Sequence, residues 1–340
     1  MQQSYDQHPA SPLLARPSKC RMNAHKQPFL SPAPSTPMIN SLLTALETAR
    51  CLPWQALVDE ISLVLQDDSV RVAPRLVQTL AGGGSLFVMP AVDRNVAITK
   101  LITFTPGNAA VKLPTIQGDV VVFDVASGQR RLVLDGPTVT GRRTAAVSAL
   151  AAQRLAANTH GPLLIVGAGV QAQAHLEVFA EVLKVQEVVV ASRSLSSAEA
   201  LARHARTLGL KARVTDDANA ALADCPLAVT CTPASTTVLS AHPRDDGFVS
   251  AVGAFTPQMA ELSTGLCRYM AQHGEIFVDT ADASHEAGDL LQAGLDVPGF
   301  SSLAAVVHPG FKRPVGPVLF KSCGWAGWDL AAARVALASA

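Results

Sequence analysis

Residues 161–194 read GPLLIVGAGVQAQAHLEVFAEVLKVQEVVVASRS. Leu163-Leu164-Ile165-Val166 is wholly apolar, the pattern of a strand buried on both faces of a parallel sheet. Gly167-Ala168-Gly169-Val170-Gln171-Ala172 follows at once and fits G-x-G-x-x-G/A. Leu176, Phe179, Ala180 and Leu183 then recur at helical spacing, and Val188-Val189-Val190 forms a second buried strand. Strand, glycine turn, helix and strand in about thirty residues make a dinucleotide-binding unit. Gly167 permits the tight turn, Gly169 lets backbone approach a pyrophosphate, and Ala172 lets helix and strand pack closely. Free N–H groups at the helix start, around Val170 and Gln171, face the anion. The bland alternative is a glycine-rich turn that binds nothing.

The second strand ends Ala191-Ser192-Arg193-Ser194. An NAD-binding unit usually places an acid there for the ribose 2′-hydroxyl. Here Arg193 can pair with a 2′-phosphate, and Ser192 and Ser194 can donate to it. The expectation is therefore NADPH in preference to NADH, with NADH still open. An exposed loop arginine is the competing reading.

The rest of the chain bounds the answer. Its 340 residues carry 16% charged side chains and a formal net charge of zero. That balance argues against nucleic acid or an anionic membrane as partner. Apolar runs are strand-sized, so no transmembrane helix is expected. The six cysteines form no C-x-x-C and no metal-like cluster, which points to a reduced, cytoplasmic protein without a metal. Met1 to Pro37 is rich in Pro, Ser, Gln and His and lacks hydrophobic periodicity, so it reads as a disordered extension.

From Leu42 the chain turns foldable. Leu42–Arg50 and Pro53–Leu65 read as amphipathic helices. Arg75–Leu80, Ser85–Met89, Val96–Phe104, Asp119–Asp124 and Arg131–Leu134 read as strands of an antiparallel sheet. An Ala-rich helix over Val139–Asn158 leads into the nucleotide unit. Beyond it, strands at Ala212–Thr215, Leu227–Cys231, Phe248–Val252 and Ile276–Val278 complete a doubly wound sheet of six. The fold class is thus α/β, a Rossmann-type sheet with a smaller α+β domain. The expected division gives residues 38–148 and 317–340 to substrate binding and dimerisation, and 149–316 to the dinucleotide.

Several blocks, in order, resemble the ornithine cyclodeaminase/mu-crystallin family. They are Ser85-Leu86-Phe87-Val88-Met89-Pro90-Ala91, the strand holding Lys100, Pro106-Gly107-Asn108 and Arg143-Thr144-Ala145-Ala146. The glycine loop ending in Gln171, Val252-Gly253-Ala254 through Glu261-Leu262, Glu286-Ala287-Gly288-Asp289 and Phe320-Lys321-Ser322-Cys323-Gly324 continue the set. The resemblance implies a homodimer built through the non-nucleotide domain. It also implies that Arg75, Lys100 and Arg143 hold a substrate carboxylate, a task suited to two guanidinium forks and one ammonium. A solvated outward lysine is the plain alternative for Lys100, and Arg142 competes with Arg143. Glu286 and Ser322 match positions near the substrate, against readings as a surface helix charge and a turn serine. Thr144 and Gly253 are placed beside the cofactor, and Thr232 at the carboxyl end of its strand belongs there too. His175 reads as a packing residue.

One departure from the family directs the substrate. Cyclodeaminases carry an aspartate in the block Gly253-Ala254-Phe255-Thr256-Pro257, where this chain has Phe255. Phenylalanine accepts no ammonium, so the pocket suits a carboxylate with an apolar body. The resemblance then implies reduction of the cyclic ketimines Δ1-pyrroline-2-carboxylate and Δ1-piperideine-2-carboxylate to proline and pipecolate. Lys100, Thr256 through water, and bulk solvent are the candidate proton sources. The rival readings are an ornithine cyclodeaminase, an alanine-type amino acid dehydrogenase, and a non-catalytic NADPH-dependent binder like mu-crystallin.

Overall fold

The structure, a computed structural model, describes residues 41–233 and 236–339. The extension expected at 1–37 lies outside the described residues. The first sheet contains β1 (Ser41–Leu42), β2 (Arg71–Val72), β3 (Leu76–Thr79), β4 (Ser85–Val92), β5 (Val96–Phe104), β6 (Ile116–Asp124) and β7 (Arg130–Asp135). Its order is β1-β7-β6-β5-β4-β2, with β3 also on β4, and all pairs are antiparallel except β1 with β7. Helices α1 (Ala45–Arg50), α2 (Trp54–Val64) and α3 (Gly136–Leu155) accompany it.

Local chemistry explains where the boundaries moved. α1 starts at Ala45 because Thr44 and Glu47 form a capping box, which leaves Ser41 and Leu42 free to pair with β7. α3 begins ahead of Val139 because Asp135 accepts the Thr138 N–H at 2.8 Å and Pro137 fits the first turn. Arg75 does not open a strand; it lies one residue ahead of β3.

The second sheet is wholly parallel. It comprises β8 (Leu163–Val166), β9 (Glu187–Ala191), β10 (Lys211–Thr215), β11 (Leu227–Thr230), β12 (Phe248–Ala251), β13 (Glu275–Val278), β14 (Ser301–Ser302) and β15 (Val318–Lys321). The order is β10-β9-β8-β11-β12-β15-β13-β14, with the direction of winding reversing between β8 and β11. Between strands run α4 (Val170–Val182), α5 (Leu195–Thr207), α6 (Ala218–Leu222), α7 (Thr264–His273), α8 (Ala283–Glu286), α9 (Gly288–Gln292) and α10 (Leu303–Val307). Both faces are covered: Leu163 and Ile165 join one apolar cluster with Leu176 and Leu201, while Leu164 and Val166 join another with Leu222 and Leu266. This explains why β8 reads as an unbroken apolar run.

The sheet has eight strands, not six. Val318–Lys321, expected with the substrate domain, pairs with β12 on one side and β13 on the other. The helix that follows, α11 (Ala326–Ser339), does return to the first sheet, packing against α2, β5 and β4.

Candidate active site

A cleft of about 370 Å³ opens between the two sheets, at the carboxyl ends of β8 and β11, where the winding reverses. Lys100 reaches it from β5, where Val96, Ile98, Lys100 and Ile102 alternate inward. It is 1% exposed, so the outward, solvated reading does not hold. Its Nζ lies 2.9 Å from Oδ2 of Asp329 on α11. Burial lowers the Lys100 ammonium to about 8, with Asp329 opposing the shift and Arg143 and Arg75 adding to it.

The α3 helix separates the two adjacent arginines. Arg143 enters the cleft, its Nε 3.3 Å from Oδ1 of Asp329. Arg142 turns away, donating to the Leu52 carbonyl at 2.9 Å and lying 3.7 Å over the Trp54 ring. Arg75 completes the cation cluster, donating from Nη2 to Glu286 Oε2 at 2.9 Å and to the Gly324 carbonyl at 2.6 Å. Glu286 itself meets the cleft through Arg75 and not as part of its wall. Ser322 lines the cleft, and its hydroxyl donates to Asp279 Oδ2 at 2.8 Å. The same oxygen accepts the N–H groups of Cys323 and Gly324, which fixes this loop after β15.

Apolar side chains line the same cleft beside the cations. Phe255 packs edge-on to Phe104, ring centres 6.2 Å apart, with Phe87, Met89 and Ile102 alongside. Thr256 is not brought to the cleft: its carbonyl accepts the Met259 N–H at 3.1 Å and begins a turn leading away. Cys231 and Cys323 touch the cleft, but burial raises both thiols and keeps them unreactive.

The glycine loop meets the geometric needs of a dinucleotide. Gly167 has φ +125°, and a Cβ there would come 3.0 Å from the Cys231 carbonyl. A Cβ on Gly169 would instead meet nothing within 4 Å, so an open cradle stands before α4, whose start has no side-chain cap. Val170, Gln171 and Thr144 line the same cleft. Ser192, Arg193 and Ser194 lie beyond it, at the end of β9 beside β8. Arg193 is exposed there, and Ser194 caps α5 by accepting the Ser197 N–H.

Thr232 and Gly253 reach the cleft with their donors already engaged. Glu261 accepts the Thr232 N–H at 2.6 Å and its hydroxyl at 3.0 Å, and the Gly253 N–H at 2.6 Å. A Cβ on Gly253 would lie 2.0 Å from the Thr232 carbonyl, so close approach of two strand ends requires the glycine. Asp289 accepts the Glu261 N–H and pairs with Lys321 Nζ at 2.7 Å. These three buried charges hold the carboxyl ends of β11, β12 and β15. His175 is packed and fully hydrogen-bonded, with Nδ1 at the Gln171 carbonyl (2.7 Å) and Nε2 at Ser148 Oγ (2.9 Å).

The two sheets, the glycine loop at the winding reversal and the cation-lined cleft define a dinucleotide-binding protein with a separate substrate-holding layer. The chain belongs to the ornithine cyclodeaminase/mu-crystallin family, whose sequence profile matches residues 42–340. It is 41% identical over 297 residues to Delta(1)-pyrroline-2-carboxylate reductase 2 of Burkholderia ambifaria, covering 86% of this chain and 93% of that one. It is 39% identical over 310 residues to the Delta(1)-pyrroline-2-carboxylate/Delta(1)-piperideine-2-carboxylate reductase of Azospirillum brasilense, covering 90% and 96%. The fold is also that of Thermococcus litoralis Delta(1)-pyrroline-2-carboxylate reductase, solved with NADH and L-proline. There the TM-score is 0.80 at 21% identity, over 88% of this chain and 96% of that one.

Proposed function

We propose that this chain is an NAD(P)H-dependent ketimine reductase, converting Δ1-pyrroline-2-carboxylate to proline and Δ1-piperideine-2-carboxylate to pipecolate. The observation that carries the reading is the division of the cleft into a cation cluster and an apolar wall. Arg75, Lys100 and Arg143 supply the first, and Phe255 with Phe104 part of the second. A small ring bearing one carboxylate matches both halves. The reductases at about 40% identity support the same substrate class.

The glycine loop and the start of α4 would hold the pyrophosphate, with Thr144 and Gln171 beside the nicotinamide. Bound there, a reduced nicotinamide supplies hydride to the imine carbon. The work of this chain is to orient and exclude. The cations fix the carboxylate and hence the ring, and the aromatic wall keeps water from the reacting carbon. Phe255 offers no acceptor to a distal amine, which disfavours ornithine. The residue Arg193 supports a preference for NADPH. Exposed Leu76, Val77 and Leu101 on the first sheet suit a homodimer formed through that layer. The five cysteines among the described residues are free, which suits a reducing, cytoplasmic setting, and no helix among those residues is long and apolar enough to cross a membrane. In this reading 41–148 and α11 hold substrate, while 149–316 and β15 hold the dinucleotide.

The test is NADPH oxidation with the five- and six-membered imines, run beside ammonia release from ornithine. Imine turnover without ornithine deamination is the expected result. Ornithine turnover without imine reduction would overturn the assignment, as would ligand binding without any turnover.

A further inference from the structure

Asp329 is the one acid of α11, and it is fully buried. Its carboxylate is shared: Oδ2 lies 2.9 Å from Lys100 Nζ, and Oδ1 lies 3.1 Å from that nitrogen and 3.3 Å from Arg143 Nε. Two of the three cleft cations therefore have a common counter-charge behind them. Binding Arg143 through Nε leaves its terminal nitrogens toward Gly324, where a Cβ would come 3.0 Å from Nη1. Lys100 lies between Asp329 from α11, Arg143 from α3 and Arg75 from the segment before β3, with Glu286 behind Arg75. Its strand neighbours Met89 and Val120 are apolar. Without Asp329 the buried ammonium would face two guanidinium groups with no anion beside it.

We propose that Asp329 is a positioning residue that keeps Lys100 protonated and aimed into the cleft, so that Lys100 supplies the proton taken up by the imine nitrogen. The inference rests on the ketimine-reductase reading. In the step, an Nζ–H bond of Lys100 breaks and an N–H bond forms on the ring nitrogen. The imine carbon takes up hydride from the reduced nicotinamide, which is oxidised, and the C=N double bond becomes a CH–NH single bond. Neutral Lys100 then regains a proton from water as product leaves. Asp329 stays ionised throughout and touches neither substrate nor cofactor.

The experiment compares pH profiles of kcat/KM for Δ1-piperideine-2-carboxylate in the wild type and D329N. Loss of the anion lowers the affinity of Lys100 for its proton, so the alkaline limb should move to lower pH. From a limb at about 8, a shift of one unit gives about a fivefold loss at pH 8, rising toward about tenfold at higher pH, and a much smaller loss at pH 6. A second readout needs no turnover: binding of picolinate to the NADPH complex, followed by cofactor fluorescence. In D329N that binding should hold at pH 6 and weaken at lower pH than in the wild type. A folded D329N with the wild-type limb in both profiles would overturn the proposal. Should D329N fail to fold, K100R decides: it keeps the charge but not the transferable proton, so picolinate should still bind while kcat falls at least about a hundredfold. Near-normal kcat in K100R would overturn Lys100 as the donor. If the wild type reduces neither imine, the reaction assignment fails, while the picolinate profiles still test whether Asp329 holds the ammonium.

Discussion

Arg75 and Glu286 reach one another from different sheets. The guanidinium, just ahead of β3, donates at 2.9 Å to a carboxylate on α8, which follows β13 of the parallel sheet. Burial pushes Glu286 up to about 7 from an ordinary 4.5, Arg75 opposes that shift, and Asp279 and Asp282 add to it. An internal carboxylate thus already occupies a cation proposed to bind substrate.

This pair should make both stability and binding depend on pH. A carboxyl whose folded value is raised keeps its proton in the native state after the unfolded chain has lost it. The associated stability is complete below pH 4.5 and is lost as pH rises through about 7. Glu286→Gln should therefore reduce the fall in Tm between pH 5 and 8. It should also lower KM for the imine at pH 8, by removing a competitor for Arg75. An unchanged Tm slope together with a raised KM would show that Glu286 assists substrate instead.

Arg142 and Arg143 should separate cleanly. Arg143→Ala removes a desolvated carboxylate contact and should cost about 2–5 kcal/mol in kcat/KM, with a small change in Tm. Arg142→Ala removes the contacts to Leu52 and Trp54 and should cost roughly 1–2 kcal/mol of stability, leaving kcat/KM nearly intact. Paired denaturant titrations and steady-state kinetics on the two variants check this, and equal kinetic defects would refute it.

His175 should contribute to acid unfolding. Burial holds its imidazole down to about 4 from 6.5, so the unfolded chain binds a proton that the native state refuses. Its stabilising effect is present above pH 6.5 and fades as pH drops toward 4. Since His175 also joins Gln171 to Ser148, His175→Ala should cost about 2–4 kcal/mol at pH 7.5. The deficit should narrow at pH 5, as measured by urea midpoints.

The proposed preference for NADPH can be tested at the exposed guanidinium after β9. Arg193→Asp should reverse or flatten the ratio of kcat/KM for NADPH over NADH, through loss of attraction and gain of repulsion at the 2′-phosphate. A ratio identical to wild type would mean that Arg193 does not read the phosphate.

Much of this was legible because local chemistry determined it. Leu163–Val166, the glycine turn and Val188–Val190 are buried on both faces, so their apolar runs needed no partner to interpret. Lys100 was also readable in hindsight: Val96, Ile98 and Ile102 share its side of β5, and alternation alone turns it inward. The three cations and Glu286 were named from the sequence, yet Asp329 behind Lys100 and Arg143 was not. Asp329 sits in an alanine-rich helix distant in sequence from Lys100, and only its isolation among apolar neighbours marked it. Glu261 hid in the same way, since its work is to hold the backbone of Thr232 and Gly253. Strand order was the deepest gap, for nothing local to Val318–Lys321 says that it slots between β12 and β13.

That slot governs the order in which the molecule can be made. During synthesis β12 and β13 emerge long before β15, and they cannot become neighbours of a finished sheet until it arrives. α11 follows immediately, carrying Asp329 to Lys100 in the first layer. β15 and α11 thus act as a keystone, one closing the nucleotide half and the other charging the substrate half. A nascent chain stalled before residue 318 would show an open strand edge and an uncompensated buried lysine at once. Residues 318–339 thus complete both the sheet that carries the glycine loop and the ion pair that holds Lys100.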